Sequence, residues 1–97
     1  AEQVAAAHGA RADAADSLIA ANDVDAILIC TPTDTHADLI ERATAAGKSV
    51  FCEKPVDLSS DRIRACLRKV DASGKTLMIG FNRRFDPNFA EAKRRID

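Results

Sequence analysis

Three short apolar runs, Val24 to Cys30, Ser49 to Cys52 and Leu77 to Phe81, recur at ~20-to-28-residue spacing with helical periodicity between them, a rhythm that points to parallel strands joined by crossovers. Parallel neighbours cannot be joined by a tight turn; each pair needs a crossover, usually a right-handed helical one. The expected class is therefore α/β, with three clear parallel strands and crossover helices. Val24 to Cys30 is almost continuously apolar and rich in β-propensity, which reads as a central strand covered on both faces.

The intervening stretches supply the helices. From about Asp34 to Ala46, His36, Leu39, Ile40 and Ala43 fall on one stripe, and Gly47 closes the element. Ser59-Ser60-Asp61 caps a second helix whose inward face is Ile63, Cys66, Leu67 and Val70, and Gly74 stops it. A last helix starts at Asp86 or Pro87 and runs to about Arg95. At the other end, residues 2 to 8 favour a helix ending at Gly9, Ala10-Arg11-Ala12 is a candidate for a very short strand, and Asp16 is an N-cap for Ser17 to Ala21.

Each strand ends on a polar cluster: Thr31-Pro32-Thr33-Asp34-Thr35-His36, Glu53-Lys54, and Asn82-Arg83-Arg84. Strands that all point one way place the three clusters on one edge, where open α/β sheets bind ligands. Pro55 ends ladder pairing directly after Lys54, so Glu53 and Lys54 sit on a stiff corner, and a cis Lys54-Pro55 peptide is expected there. Extended backbone sends consecutive side chains to opposite sides, which frees Lys54 from pairing with Glu53. Simpler roles exist for every member: a surface ion pair for Glu53 and Lys54, a packed helix-start residue for His36, helix caps for Thr33, Asp34 and Thr35, and solvated cations for Arg83 and Arg84.

Composition narrows the partners. With 46% hydrophobic and 30% charged residues and net charge −1, the chain is globular and has no electrostatic reason to seek nucleic acid or an anionic membrane. No apolar run approaches the ~20 residues of a spanning helix, and Glu2, Arg11 and Asp13 interrupt the Ala-rich start where a signal peptide would need an apolar core. A cytoplasmic location is expected. Cys30, Cys52 and Cys66 are odd in number and lack C-x-x-C spacing, which favours reduced, buried thiols over disulfides or a metal site.

Ile29-Cys30-Thr31-Pro32-Thr33-Asp34-Thr35-His36, Cys52-Glu53-Lys54-Pro55 and Gly80-Phe81-Asn82-Arg83-Arg84-Phe85-Asp86-Pro87, in that order and spacing, resemble the Gfo/Idh/MocA family of NAD(P)-dependent oxidoreductases, most of all its inositol 2-dehydrogenase branch. The resemblance implies oxidation of a secondary hydroxyl of a cyclitol or sugar to a ketone by hydride transfer, with NAD or NADP as cofactor. It further implies Lys54 as the catalytic group at the substrate hydroxyl, and Thr31, Pro32, Thr33, His36, Glu53, Lys54, Asn82 and Arg83 as cofactor-binding residues. A lysine can accept the hydroxyl proton once its ammonium is destabilised by burial or a neighbouring cation.

Only Gly9, Gly47, Gly74 and Gly80 occur, so no G-x-G-x-x-G phosphate turn is present. The expectation is a partial Rossmann fold: residues 1–97 as part of a dinucleotide-binding domain lacking the first βα units and the substrate domain, with residues 82–97 leading into the latter. In the doubly wound order 3-2-1-4-5-6 the three clear strands take positions 4, 5 and 6, and Ala10 to Ala12 position 3. Val24 to Cys30 then lies at a raw edge that either pairs with another chain or captures the N-terminal segment. The alternative reading is a non-catalytic structural or self-associating module.

Overall fold

Residues 26–29, 49–52 and 77–79 carry side chains that suit a pleated, half-buried surface, and in the computed structural model, which describes residues 1–97, they form β1 (Ala26–Ile29), β2 (Ser49–Cys52) and β3 (Leu77–Ile79). The sheet is parallel throughout in the order β1-β2-β3, as expected for positions 4, 5 and 6. Register pairs Ile27 with Val50, Ile29 with Cys52, Val50 with Leu77 and Cys52 with Ile79. Alternation then gathers these residues on one face and Leu28, Phe51 and Met78 on the other.

The first face is the core. Helix α3 (His36–Ala45) connects β1 to β2, and α4 (Ser60–Ser73) connects β2 to β3. Ala37, Ile40 and Ala43 of α3 meet Cys66 and Val70 of α4 over Ile29, Val50 and Cys52, all buried. Ser59 caps α4 by accepting from the Arg62 N–H, and Gly74 ends it at φ 66°, a left-handed conformation that costs a glycine little. Leu67, expected inside, is 40% exposed, because the core-facing arc of α4 passes through Cys66 and Val70.

The opposite face departs from expectation. Leu28 is 68% exposed and Met78 51%, so β1 is covered on one face only; both connecting helices pack on the same side and no element of the chain covers the other. A continuous apolar run cannot distinguish a strand buried on two faces from one whose second cover lies elsewhere.

The N-terminal part folds as α1 (Glu2–Ala7) and α2 (Ala15–Ala20), and Ala10 to Ala12 forms no strand. Those residues have no partner strand to pair with. Asp16 is not the cap: α2 starts two residues earlier than expected, at Ala15, with Ala14 at the N-cap and Asp16 in the first turn, where it pairs with Arg42 of α3. Lys48 donates to the carbonyls of Ala21 and Val24, both at 2.6 Å, fastening the end of α2 and the start of the β1 approach to the α3–β2 turn. The N-terminal segment is thus held beside β1, yet β1 has β2 as its one ladder partner. Helix α5 (Pro87–Ile96) opens at Asp86, whose carboxylate accepts from the N–H groups of Asn88 and Phe89. No helix is long and apolar enough to cross a membrane.

Candidate active site

The three strand ends are joined backbone to backbone. Beyond the last ladder pairs, the Glu53 N–H donates to the Ile29 carbonyl at 2.9 Å and the Gly80 N–H to the Cys52 carbonyl at 2.9 Å. These bonds set Thr31, Glu53 and Gly80 along one edge, which is where sequence order and strand polarity place the polar clusters.

After β1, Pro32 leads into a single 3₁₀ turn, Thr33–Thr35. The Thr35 hydroxyl donates to the Pro32 carbonyl at 2.7 Å and lies 2.6 Å from the Thr31 hydroxyl. Since a hydroxyl has one proton, Thr31 donates to Thr35, and the loop is stiffened from Thr31 to Thr35 with the Thr31 side chain exposed. His36, the first residue of α3, is 1% exposed and lies beneath this loop, with Nε2 2.8 Å from the Thr31 carbonyl oxygen and Nδ1 2.7 Å from the Pro55 carbonyl oxygen.

After β2, the chain turns through a cis Lys54-Pro55 peptide, as expected from the sequence. A Glu53 carboxylate oxygen accepts from the Lys54 backbone N–H at 3.1 Å. Lys54 has no ion pair and no hydrogen bond from its side chain, which is exposed. Lys54, Phe81, Asn82 and Arg83 line one shallow depression, and Glu53, Phe51, Gly80 and Asn82 line the adjoining one. Phe81 and Asn82 belong to both. Arg83 stacks its guanidinium 4.9 Å from the Phe89 ring centroid, a cation–π contact that turns it towards α5.

Thr31, Pro32, Glu53, Lys54, Asn82 and Arg83 therefore share one edge, Thr33 forms the turn above it, and His36 sits below. Two residues escape a reading of polar clusters. Gly80 leaves room for Glu53: a Cβ there would lie 3.1 Å from the Phe51 ring and 3.5 Å from the Glu53 carboxyl carbon. Phe81 supplies the apolar wall beside Lys54. A glycine ending an otherwise apolar strand is the signal for the first, since such a glycine marks a close approach. The thiols divide unevenly. Cys52 is buried and its pKa is pushed up to about 11 by burial, with neighbouring thiols and Glu53 adding to the effect; burial also raises that of Cys66. Cys30, expected buried, is exposed, because it lies one residue past the end of β1 where the covered face ends.

A family model described as an oxidoreductase family with an NAD-binding Rossmann fold matches residues 1–81. The chain belongs to the Gfo/Idh/MocA family. Inositol 2-dehydrogenase of Rhizobium meliloti (strain 1021) is 56% identical over 97 residues, covering 100% of this chain and 29% of that protein. The scyllo-inositol 2-dehydrogenase (NAD(+)) of Bacillus subtilis (strain 168) is 50% identical over 74 residues, 76% of this chain and 22% of its own length. Among solved structures, scyllo-inositol dehydrogenase from Lactobacillus casei with bound NAD(H) and scyllo-inositol superposes with TM-score 0.78 at 34% identity, covering 88% of this chain and 25% of that one. This Gfo/Idh/MocA chain thus spans under a third of the length of these relatives.

Proposed function

We propose that the chain is the nicotinamide-side part of the Rossmann domain of an NAD-dependent cyclitol dehydrogenase, cytoplasmic, acting on an inositol-type secondary alcohol. Residues 82–97 then lead towards a substrate domain. The observation that carries this reading is that Lys54, its side chain free of any ion pair, and Glu53, whose carboxylate accepts from the Lys54 backbone N–H, stand on the edge where all three strands end. The relatives' names and the NAD(H) and scyllo-inositol held by the Lactobacillus protein support the choice of substrate and cofactor.

The residues present fit the nicotinamide end of a dinucleotide. Glu53 offers a carboxylate to ribose hydroxyls, the small Gly80 opens space against it, and Asn82 lines the same depression, with the Thr31-Pro32 loop on the same sheet edge. The cofactor, when bound, supplies the hydride acceptor. Beside it, Lys54 Nζ would accept the proton of the carbinol O–H as the C–H electron pair leaves with the hydride. The products are ketone, reduced cofactor and the lysine ammonium. Phe81 would shed water from the lysine and Asn82 could hydrogen-bond either ligand.

The test is whether the full-length protein reduces NAD+ in the presence of myo- or scyllo-inositol, followed by NADH absorbance. A protein that binds NADH but oxidises neither cyclitol nor any sugar alcohol would overturn the substrate assignment. A second reading applies to the 97-residue chain by itself: the exposed Leu28 and Met78 on either side of half-buried Phe51, and the unpaired edge of β1, favour self-association of a non-catalytic module.

A further inference from the structure

Neither the Thr31 nor the Pro55 carbonyl accepts from any backbone N–H of the chain; each instead faces a nitrogen of the His36 ring, which donates to one of them from its single N–H as the neutral ring and to both only when both nitrogens carry hydrogen. The two carbonyls belong to different loops. Thr31 leaves β1 and begins the Thr-Pro turn, whereas Pro55 directly follows the corner that carries Glu53 and Lys54. One planar, rigid ring, fixed at the first turn of α3 and 1% exposed, therefore spans the two loops that flank the candidate cofactor site. The neighbours of the ring are equally fixed: Ala37 and Ile40 of the same helix are buried, and Val56, next to Pro55, is part of the core.

A ring with both nitrogens occupied by main-chain carbonyls and almost no exposed surface has no atom left to offer a dinucleotide. What it can do is set the separation of two backbones. We infer that His36 is a positioning residue, a clasp that fixes the Lys54 corner relative to the Thr31-Pro32 loop, and does not touch the cofactor. This rests on the proposed dehydrogenase reading for its kinetic consequence, although the clasp itself is a property of the fold. Geometry of this kind matters because hydride and proton transfer require donor and acceptor to be aligned, and a displacement of about 1 Å away from the chemistry can cost about 100-fold in rate.

Two measurements on the full-length protein test it, each comparing wild type with His36→Gln, whose amide can reach one carbonyl, and with His36→Phe, which fills the space and serves neither. In amide NMR, the signals of Thr31, Glu53 and Lys54 should shift and exchange faster in both variants, with Val70 in the α4 core unchanged. In steady-state kinetics, kcat should fall about 100-fold in His36→Phe and less in His36→Gln, with NADH affinity by fluorescence titration weakened far less than kcat. Unmoved Glu53 and Lys54 amides would overturn the clasp. So would a loss confined to NADH affinity with wild-type kcat at saturation, the signature of a ring that touches the cofactor, or uniform shifts that include Val70, the signature of general loosening. If the wild type oxidises no cyclitol, the dehydrogenase reading fails and the NMR comparison still decides the clasp. Should His36→Phe not fold, His36→Gln carries both measurements.

Discussion

The Glu53 carboxylate accepts from the backbone N–H of Lys54, so the acid holds the corner's main chain and leaves the adjacent ammonium without a counter-ion. This arrangement separates two roles that an ion pair would have merged. Lys54→Met in the full-length enzyme should leave NADH binding nearly intact and lower kcat by about 10²–10⁴-fold, since proton acceptance is needed only as the hydride departs. Glu53→Gln should raise the NADH dissociation constant more than it lowers kcat. Steady-state kinetics with parallel NADH fluorescence titrations measure both, and a Lys54→Met enzyme with wild-type kcat removes the catalytic assignment.

Gly80 tests the space behind Glu53. Its backbone is not in the left-handed region, so alanine brings no conformational strain, and the whole effect comes from a Cβ placed 3.1 Å from the Phe51 ring and 3.5 Å from a Glu53 carboxylate oxygen. Gly80→Ala should destabilise the fold by about 1–2 kcal/mol, within the usual cost of overpacking, and raise KM for NAD+ by displacing the carboxylate. Thermal unfolding and cofactor saturation curves read the two effects separately. A larger wall at the same place, Gly80→Val, should exaggerate both.

Much of this site is legible in the sequence because it depends on strand polarity. Once three parallel strands are recognised, the positions of Thr31, Glu53 and Asn82 on one edge follow from chain direction alone, whatever the details of packing. Covering layers are a different matter. Leu28 belongs to the same apolar run as Ile27 and Ile29, and nothing in that run says that α3 and α4 both pack under Ile29 and leave Leu28 bare. His36 shows the limit most clearly: its place on the inward stripe of α3 is periodic and readable, but its two carbonyl partners lie 5 and 19 residues away in loops whose paths only the folded backbone defines. Cys30 fails for a similar reason, since one residue beyond β1 is enough to leave the covered layer.

A charge cluster far from the site predicts acid behaviour. Glu41 of α3 accepts from Arg62 and Lys69 of α4. Partial burial alone would raise its pKa, but the bonds from the two cations outweigh it and the carboxyl titrates below its ordinary value. A depressed folded-state pKa contributes stability that is present above the ordinary carboxylate range and is lost as pH falls through the lowered value. Chemical denaturation repeated from neutral pH to below pH ~4 should show wild-type stability falling more steeply than that of Glu41→Gln. At neutral pH the same substitution should cost about 1–2 kcal/mol, between the worth of an exposed pair and that of a buried one.

The thiols give a chemical readout of the covered face. Reaction with a thiol reagent proceeds through the thiolate, and Cys52, buried with its pKa pushed up to about 11, and Cys66, buried and likewise raised, hold little of it at neutral pH. Cys30 is exposed. The folded 97-residue chain should therefore release one equivalent in a colorimetric thiol assay quickly and the remaining two on unfolding, and Cys30→Ser should abolish the fast phase. Fast modification of two thiols would mean that the α3–α4 layer opens over Cys52 or Cys66.

The uncovered face of the sheet leads to the last prediction. Leu28 and Met78 stand on either side of Phe51 in register, and Phe81 extends the same apolar surface past the end of β3. Beside it, β1 presents an unpaired edge, the arrangement through which strands recruit other chains. The 97-residue chain expressed by itself should therefore sediment as an oligomer, and Leu28→Lys should shift it towards monomer at little cost in folding, because the leucine it replaces is 68% exposed. In the full-length protein the opposite sign is expected. Where the rest of the polypeptide covers this face, the same lysine buries a charge without a partner and lowers the melting temperature. Sedimentation velocity and thermal unfolding on the two lengths distinguish these outcomes. A 97-residue chain that remains monomeric at high concentration would show that Leu28, Phe51 and Met78 do not suffice to hold a partner.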